Sequence, residues 1–340
     1  MRIGCRDTSE GVLVVAEIGN NHEGSLERAR RMVREAAAAG ADAVKFQTFR
    51  VELFASPLDA ARFARLHSFE LPPAAFAELA AVAREEGVLF ISTPLDLPSV
   101  DVLAPIAAAL KVASGDNDFE PLLARVAGTG LPVLLSTGLA DLATVDRAVR
   151  CLSAHGAWPA GERVALLHCV SSYPVPAEEA NLLAIGSLRR RYGLTAGYSD
   201  HCLGTAAVLA SVALGARIVE KHFTLDKGLS DFRDHRLSAD PAELRQMVRA
   251  IRDLEAMLGD GHKRVMPCEE GNRVAMRRSI AASGDLPAGH LVRAEDVVWL
   301  RPGGGLSPGE EAGVIGARLA RPMVAGTPFE AGQELLERCA

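Results

Sequence analysis

The chain has 340 residues and a formal net charge of −6 at pH 7, with 49% hydrophobic, 24% charged and 5% aromatic residues. The length suits one large and one small domain, and the composition is that of a globular α/β protein rich in small aliphatic side chains. The acidic balance excludes a broad basic surface, so we expect neither nucleic acid nor an anionic membrane as a main partner.

Eight short apolar runs alternate with segments of helical period, which indicates βα units and a parallel sheet. Eight units over about 250 residues favour a (β/α)8 TIM barrel. A doubly wound sheet is disfavoured because the first strand is not followed by the GxGxxG spacing. The predicted strands are 12–17, 41–47, 88–93, 109–113, 132–137, 164–169, 195–199 and 217–222. The predicted helices are 25–39, 73–86, 98–108, 119–129, 141–154, 178–191, 203–214 and 241–258.

The pattern changes after residue 260, which predicts a barrel domain at 1–260. Residues 261–276 are charged and irregular and are interpreted as a linker. Short alternating runs with Gly and Pro turns then predict a small β-rich domain at 277–340. A domain of this size buries little core alone, so we expect it to pack on its own barrel or on a partner chain.

The N-terminus lacks the apolar run of a signal peptide, and no stretch has the length of a membrane span. The six cysteines are scattered without a CxxC pair, which favours free thiols in a cytoplasmic protein. The tryptophans Trp158 and Trp299 are interpreted as packing residues.

Polar residues follow all eight predicted strands, at the end of the barrel where TIM-barrel active sites lie. Polar residues at the ends of all eight strands are stronger evidence for an active site than any single residue is. The side chains singled out at these ends are Glu17, Lys45, Gln47, Thr93, Lys111, Ser114, Asp116, Ser136, Tyr173, Ser199, His201, Glu220 and His222.

His201 and His222 end neighbouring strands, so their imidazoles can converge on one divalent metal. The competing interpretation is a hydrogen-bonded structural pair, which becomes less attractive with Glu17, Asp200 and Glu220 close by in the predicted fold. His168 lies within its predicted strand and is expected to point outward among the helices.

Lys45 and Lys111 end separate strands, and hydroxyl groups follow them at neighbouring strand ends. Ammonium and hydroxyl groups together form a pocket for phosphate or carboxylate, because each donates a hydrogen bond to an anion oxygen. A Schiff-base aldolase with Lys45, Lys111 or Lys221 as nucleophile is the second enzymatic hypothesis. The hydroxyl-bearing residues of the predicted pocket are Thr93, Ser114, Ser136 and Ser199.

Nine motifs resemble, in order, those of the sialic acid synthase (N-acetylneuraminate synthase) family. That resemblance implies a TIM barrel followed by an antifreeze-like (SAF) domain, and condensation of phosphoenolpyruvate with N-acetylmannosamine or a related acetamido-hexose. The motifs are VVAEIGNNHEGSLERAR, GADAVKFQT, FISTPLD, KVASGD, LLSTG, LLHCVSSYPVP, YSDHCLG, VALGARIVEKHFTLD and WLRPGGG.

The resemblance also implies a role for each matching residue. His201 and His222 match the ligands of a divalent metal, usually Mn²⁺ with Mg²⁺ or Co²⁺ as alternatives, and Glu17 matches the residue that takes a proton from the attacking water. Arg301 matches an arginine that reaches the barrel of a partner subunit, which implies a domain-swapped homodimer. The expected phosphoenolpyruvate contacts are Lys45, Thr93, Lys111, Ser114, Ser136, Tyr173 and Ser199. The expected sugar contacts are Gln47, Asp116, Tyr173, Asp234 and Arg301.

The sequence departs from the family pattern at several points near the expected sugar site. Asp116 and Ser171 stand where many members have Glu and Asn, the loop 49–71 looks short, and SDFRDH replaces the commoner PGPDH. The acceptor therefore stays open, with a diacetamido-trideoxyhexose leading to legionaminic or pseudaminic acid as an alternative. A catalytically inactive sugar-binding paralogue is a further hypothesis, although none of the implied catalytic residues is missing.

Overall fold

A computed structural model describes residues 1–156 and 163–332 together with the strand Leu335–Leu336. The chain divides into two compact units, Met1–Gly259 and Asp260–Ala340. Trp158 and Cys339 lie outside the described residues. The other five cysteines are free thiols. No helix in the described ranges is both long and apolar enough to span a bilayer.

The first unit is built on a closed barrel of eight parallel strands, which confirms the predicted TIM barrel. Its eight strands, β3 to β10, follow an antiparallel hairpin of β1 and β2, and β10 pairs with β3 to close the barrel. The observed strand ends differ from the predicted ends by at most two residues. The strands are β1 (Arg2–Ile3), β2 (Arg6–Asp7), β3 (Leu13–Gly19), β4 (Ala43–Thr48), β5 (Leu89–Pro94), β6 (Ala109–Val112), β7 (Val133–Ser136), β8 (Val164–Cys169), β9 (Thr195–Asp200) and β10 (Ile218–His222).

Helices surround the barrel, and two of them lie where the sequence predicted a short loop. The segment 49–71 contains α2 and α3, and α3 went unrecognised because its alanines and arginines leave it with a narrow apolar stripe. The helices are α1 (Leu26–Ala38), α2 (Val51–Phe54), α3 (Ala60–Phe69), α4 (Pro73–Glu85), α5 (Leu97–Leu103), α6 (Glu120–Gly128), α7 (Leu142–Gly156), α8 (Ala184–Tyr192), α9 (Ala206–Ala213), α10 (Asp234–Leu237) and α11 (Pro241–Leu258).

The lower half of the barrel interior is a sealed apolar layer. Successive residues of a strand face opposite sides, so one set of aliphatic side chains points inward and the other packs against the helices. Ile3 of the hairpin packs with the inward set. Gly197 is required in this layer, because a Cβ there would overlap Leu167 and Ile218. The remaining inward residues are Leu13, Val15, Ala43, Ile91, Ala109, Leu134 and Ala165.

The second unit is small and β-rich, with a core that includes Ile280 and Phe329. The region predicted as an irregular linker instead contains α12 (Glu270–Met276). The residues of α12 are all exposed, and their sequence has no apolar stripe that would have predicted a helix. Trp299 is 42% exposed and donates from Nε1 to Glu311, so it is not a core residue. The strands are β11 (Ser279–Ala282), β12 (Val297–Leu300), β13 (Arg318–Leu319) and β14 (Leu335–Leu336).

Candidate active site

A cavity of about 820 Å³ opens at the carboxyl ends of the barrel strands. Alternation along the strands explains why polar groups meet there. Glu17 follows Val15 on the inward side of β3, and Glu220 and His222 follow Ile218 on the inward side of β10. The residues that the sequence singled out and that line the cavity are Glu17, Lys45, Gln47, Thr93, Lys111, Ser114, Asp116, Ser136, Tyr173, Ser199, His201, Glu220, His222 and Asp234.

Two lysines and two carboxylates form a buried charge cluster at the bottom of this cavity. Lys45 Nζ lies 2.8 Å from Glu17 Oε2 and 3.7 Å from Glu220 Oε1, and Lys111 Nζ lies 3.3 Å from Glu220 Oε2. Ser199 donates a 2.9 Å hydrogen bond to Glu220. All five residues are at most 4% exposed. The cluster therefore holds its charges in a low-dielectric environment, where small rearrangements change proton affinities.

The two carboxylates of this cluster have different proton affinities. Burial raises the pKa of Glu17, and the attraction of Lys45 only partly offsets it. Burial also acts on Glu220, but Lys111 and Lys45 outweigh it and lower the pKa of Glu220 well below its usual range. Burial lowers the pKa of Lys111. Glu17 is thus the carboxyl group in the cluster that is poised to exchange a proton.

Hydroxyl groups form a cradle beside Lys111. The Oγ atoms of Ser136 and Ser171 are buried and have no hydrogen-bond partner among the described residues. A Cβ at Gly138 would lie 2.5 Å from Ser171 Oγ and 2.6 Å from Ser114 Oγ, so only glycine leaves this space open. Unpaired buried donors are costly without a ligand, which indicates that the cradle receives hydrogen-bond acceptors such as anion oxygens.

His201 and His222 lie side by side with ring centroids 5.4 Å apart. His201 Nδ1 is 2.8 Å from the Val170 carbonyl, so an Nδ1–H that donates there leaves Nε2 as a lone pair. His222 Nδ1 is buried and has no hydrogen-bond partner in the part of the chain that is described. Burial and the neighbouring His201 hold the pKa of His222 well below its usual value, which favours the neutral, ligating form.

These features fit a divalent cation held by two imidazoles. No group of three or more His, Cys, Asp or Glu residues suited to a metal is present in the described ranges. Two nitrogen ligands would leave the remaining positions for substrate and water oxygens, as a catalytic site requires.

The predicted sugar contacts lie nearer the cavity opening. Gln47 accepts a 2.8 Å hydrogen bond from Asn20, and the ring of Tyr173 lies 4.2 Å from that of His201. Burial raises the pKa of Asp116 to about 6 and also raises the pKa of Asp234. Arg301 belongs to the second unit and is exposed, so its role stays a prediction.

Three residues considered for the site face away from the cavity. Lys221 donates to Asp200 at 2.7 Å and to the Cys202 carbonyl, on the outer side of the barrel. His168 also points outward, as predicted, and its Nε2 lies 2.9 Å from the Ala180 carbonyl. Asp200 therefore does not support the histidine pair from within the cavity, and Lys221 is not placed to act as a Schiff-base nucleophile there.

Several lining residues went unrecognised in the sequence. Arg62 and Arg65 come from α3, and Arg233 comes from the loop after β10. The spacing of Arg62, Arg65, Leu66 and Phe69 follows the helical period and could have revealed one stripe of a helix, but not that this stripe faces the cavity. Arg233 lies 4.7 Å from the centre of the Tyr173 ring.

Comparison with known proteins decides the family. Residues 32–263 match the NeuB family, and residues 277–333 match the SAF domain. The chain belongs to the NeuB family. The resemblance to sialic acid synthases with a C-terminal SAF domain is thereby confirmed.

Relatives of this NeuB-family chain match it over most of its length. It is 44% identical to the uncharacterized protein MJ1065 of Methanocaldococcus jannaschii over 90% of each chain. It is 36% identical to N,N′-diacetyllegionaminic acid synthase of Legionella pneumophila, over 95% of this chain and 94% of that one. The crystal structure of N-acetylneuraminic acid (sialic acid) synthetase from Leptospira borgpetersenii aligns with a TM-score of 0.74 at 35% identity, covering 80% of this chain and 94% of that chain.

Proposed function

We propose that this NeuB-family protein is a nonulosonic acid synthase. It condenses phosphoenolpyruvate with an acetamido-hexose such as N-acetylmannosamine, adds water and releases phosphate. The observation that carries the proposal is one cavity in which a lysine and hydroxyl pocket suited to an anion adjoins a histidine pair suited to a cation. The names of relatives that match most of the chain support this reaction class.

Phosphoenolpyruvate binds at the strand ends in this proposal. Lys45 and Lys111 offset the charge of its phosphate and carboxylate, and the unpaired hydroxyls of Ser136 and Ser171 donate to its oxygens. Lys111 lies close to Glu220, so an incoming anion would compete with that carboxylate for the ammonium group. The full proposed set is Lys45, Thr93, Lys111, Ser114, Ser136, Ser171, Tyr173 and Ser199.

His201 and His222 would hold a divalent metal, for which the family resemblance implies Mn²⁺, with Mg²⁺ or Co²⁺ as substitutes. When bound, the cation supplies Lewis-acid polarisation of the acceptor aldehyde. The contact of His201 with the Val170 carbonyl orients its ring, and the neutral state of His222 keeps a nitrogen lone pair available.

The carbon–carbon bond forms between C3 of phosphoenolpyruvate and the aldehyde carbon, and the aldehyde oxygen takes the proton of the Glu17 carboxyl to become a hydroxyl. Water then adds to the electron-deficient C2 and returns a proton to Glu17. The C2–O bond to phosphate breaks as the new C2 hydroxyl gives its proton to the departing phosphate and C2 becomes a ketone. Glu17 suits the proton transfer because burial raises its pKa, and Lys45 stabilises its charged form from 2.8 Å.

The acceptor occupies the outer part of the cavity. Gln47, Asp116, Tyr173 and Asp234 present amide, carboxyl and phenol groups there, which suit sugar hydroxyls and an acetamido group. We also propose that Arg301 from the SAF domain of a second copy completes this site in a domain-swapped homodimer, as the family resemblance implies.

A diacetamido-trideoxyhexose is the second candidate acceptor. The specific observation in its favour is the 36% identity, over 95% of this chain, to a protein named N,N′-diacetyllegionaminic acid synthase. The reaction and the proposed catalytic groups are the same with either acceptor, so the two candidates differ only in the contacts of the outer cavity.

The testing experiment measures phosphate release from phosphoenolpyruvate with Mn²⁺ and a panel of acetamido-hexoses. We expect release only when an acceptor is present, with formation of a nine-carbon 2-keto acid. Sugar binding by calorimetry without phosphate release from any acceptor would instead support an inactive sugar-binding paralogue. Covalent trapping with pyruvate and borohydride would support the Schiff-base aldolase.

A further inference from the structure

Helix α3 carries two arginines on the side that lines the cavity. Arg62, Arg65, Leu66 and Phe69 all line it, and their spacing places them on one face of the helix. A surface helix normally turns apolar residues toward the protein and charges toward water. In α3 the cations share the cavity-facing stripe with the apolar residues, so a ligand in the cavity can reach both guanidinium groups.

Neither guanidinium is neutralised by the protein. Among the described residues, neither Arg62 nor Arg65 forms an ion pair with a carboxylate, whereas Arg233, which also lines the cavity, bonds to Asp234 at 3.3 Å. The guanidinium of Arg62 lies 6.0 Å from the centre of the Phe54 ring, which restricts its position at the cavity. Two uncompensated cations at one rim attract an anion.

That anion differs from the one proposed for the barrel floor. Lys45 and Lys111 are 3% exposed and lie among buried hydroxyls at the strand ends, whereas Arg62 and Arg65 are exposed residues of a helix. Phosphoenolpyruvate must present C3 to the acceptor aldehyde near the histidines, so its phosphate and carboxylate are matched by the inner lysines. The arginines are therefore free to bind a negatively charged group of the acceptor, at the end of the sugar remote from its aldehyde.

We propose that Arg62 and Arg65 bind an anionic group at the far end of the acceptor sugar, a phosphate monoester or a carboxylate at the sixth carbon. This inference rests on the proposed function and narrows its substrate class. Arginine is suited to the task because its planar donors form paired hydrogen bonds with phosphate or carboxylate oxygens. A 6-deoxy acceptor carries a methyl group at that carbon and leaves both cations unpaired.

The test compares kcat and KM for N-acetylmannosamine, its 6-phosphate, the corresponding 6-carboxylate and a 6-deoxy diacetamido sugar. The readout is 2-keto acid formation by wild type, Arg62→Gln, Arg65→Gln and the double variant. Arg84→Gln, an exposed arginine of α4 outside the cavity, is the matched control. We expect wild type to prefer a charged acceptor, and each single variant to raise the KM of that acceptor about tenfold.

The KM of phosphoenolpyruvate and the kcat should stay within about twofold of wild type, because the arginines act on uniform acceptor binding. A better wild-type KM for the 6-phosphate than for the 6-carboxylate, or the reverse, identifies the anion. The proposal is overturned if wild type prefers the 6-deoxy or unmodified sugar, if the variants weaken all acceptors equally, or if they raise the KM of phosphoenolpyruvate.

Calorimetric titration with the 6-phosphate sugar separates this inference from the proposed function. If no acceptor supports phosphate release, the proposed function fails, but weaker binding of the sugar phosphate to Arg62→Gln and Arg65→Gln than to Arg84→Gln still supports the arginine site. Equal binding to all three variants overturns it. Thermal melting of each variant checks that α3 remains folded, and Arg65→Lys should recover part of the affinity because it keeps the charge.

Discussion

The two walls of the cavity differ in how their charges are held. The strand wall carries Lys45, Lys111, Glu17 and Glu220, which are buried and compensate one another within about 4 Å. The second wall, or outer wall, is formed by α3 and the loop after β10. It carries exposed residues, and its Arg62 has no carboxylate partner among the described residues. The charges of the strand wall are thus compensated within the protein, whereas the Arg62 charge of the outer wall is left for a ligand to compensate.

This difference suggests that the strand wall carries out the reaction and that the outer wall selects the acceptor. Side chains on barrel strands are fixed by sheet register, so their distances suit bond making and proton transfer. Side chains on α3 and on the loop after β10 lie outside the strands, on segments where substitutions leave the barrel undisturbed. Substitutions in the strand wall should therefore change kcat, and substitutions in the outer wall should change acceptor KM.

Replacing a proposed metal ligand should have the largest effect. His222→Ala is expected to lower kcat/KM by about 10³- to 10⁴-fold, because Lewis-acid stabilisation is worth several kcal/mol. His168→Ala is the matched control, since His168 is buried but points away from the cavity. Steady-state kinetics and metal content measure the difference. Near-normal activity of His222→Ala after exhaustive chelation would contradict the metal role.

Removing the proton-exchanging carboxyl should have the next largest effect. Glu17→Gln is expected to lower kcat about 10²- to 10³-fold, the usual contribution of general acid–base catalysis. The KM of phosphoenolpyruvate should stay similar or fall, because Lys45 loses a carboxylate competitor at 2.8 Å. Steady-state assays check both constants, with Glu17→Asp as the variant that keeps the charge. A kcat close to wild type for Glu17→Gln would assign the proton transfer to another group.

The buried ion pair outside the cavity should affect stability instead of chemistry. Lys221→Met leaves Asp200 uncompensated in a buried site, which is expected to cost about 3 kcal/mol of unfolding free energy. Asp200 also accepts from Tyr198 and the Cys202 amide, so its charge keeps two donors. Chemical denaturation measures the loss, and the double variant with Asp200→Asn should recover part of it.

Activity of the folded Lys221→Met protein separates two interpretations of this lysine. We expect kcat to stay within about tenfold of wild type, because Lys221 faces away from the reacting groups. Loss of turnover in a variant with unchanged stability would make Lys221 a nucleophile and favour the aldolase hypothesis over the metal-dependent synthase.

The barrel and the strand wall could be predicted from the sequence because both follow from short periodicities. Alternation along β3 and β10 places Glu17, Glu220 and His222 inward once the strands are located. The same alternation turns Asp200 and Lys221 outward, so counting residues from the inward Ser199 and Glu220 would have removed both from the site.

The outer wall could not be predicted in the same way. Arg62 and Arg65 lie in the segment 49–71, which reads as a loop because the alanines and arginines of α3 leave only a narrow apolar stripe. That they line one cavity with Tyr173 and Asp234 depends on how α3 and the loop after β10 fold over the barrel end, which no local periodicity encodes. The same holds for Gly138, whose missing side chain opens a cradle formed by distant serines.

Asp116 is less buried than the charges of the strand wall and more buried than Arg62 and Arg65. Its substitution should change the free energy of unfolding less than any substitution above. Burial and then Asp118 raise its pKa on folding from 3.8 to about 6. The folded protein therefore binds this proton more tightly than the unfolded chain does. The contribution of this proton to the free energy of unfolding is complete below about pH 4 and is lost as the pH rises through about 6. Asp116→Asn should remove this pH dependence.

We expect Asp116→Asn to gain about 1 kcal/mol relative to wild type between pH 4 and pH 7, a value reduced for solvent screening because the carboxyl is partly exposed. Urea denaturation at the two pH values measures the change. Asp118→Asn is the control, since it removes only the smaller cause and should shift the balance less. An equal or opposite pH trend in Asp116→Asn would show that Asp116 is charged at neutral pH, so that it would meet the sugar as a carboxylate acceptor and not as a carboxyl donor.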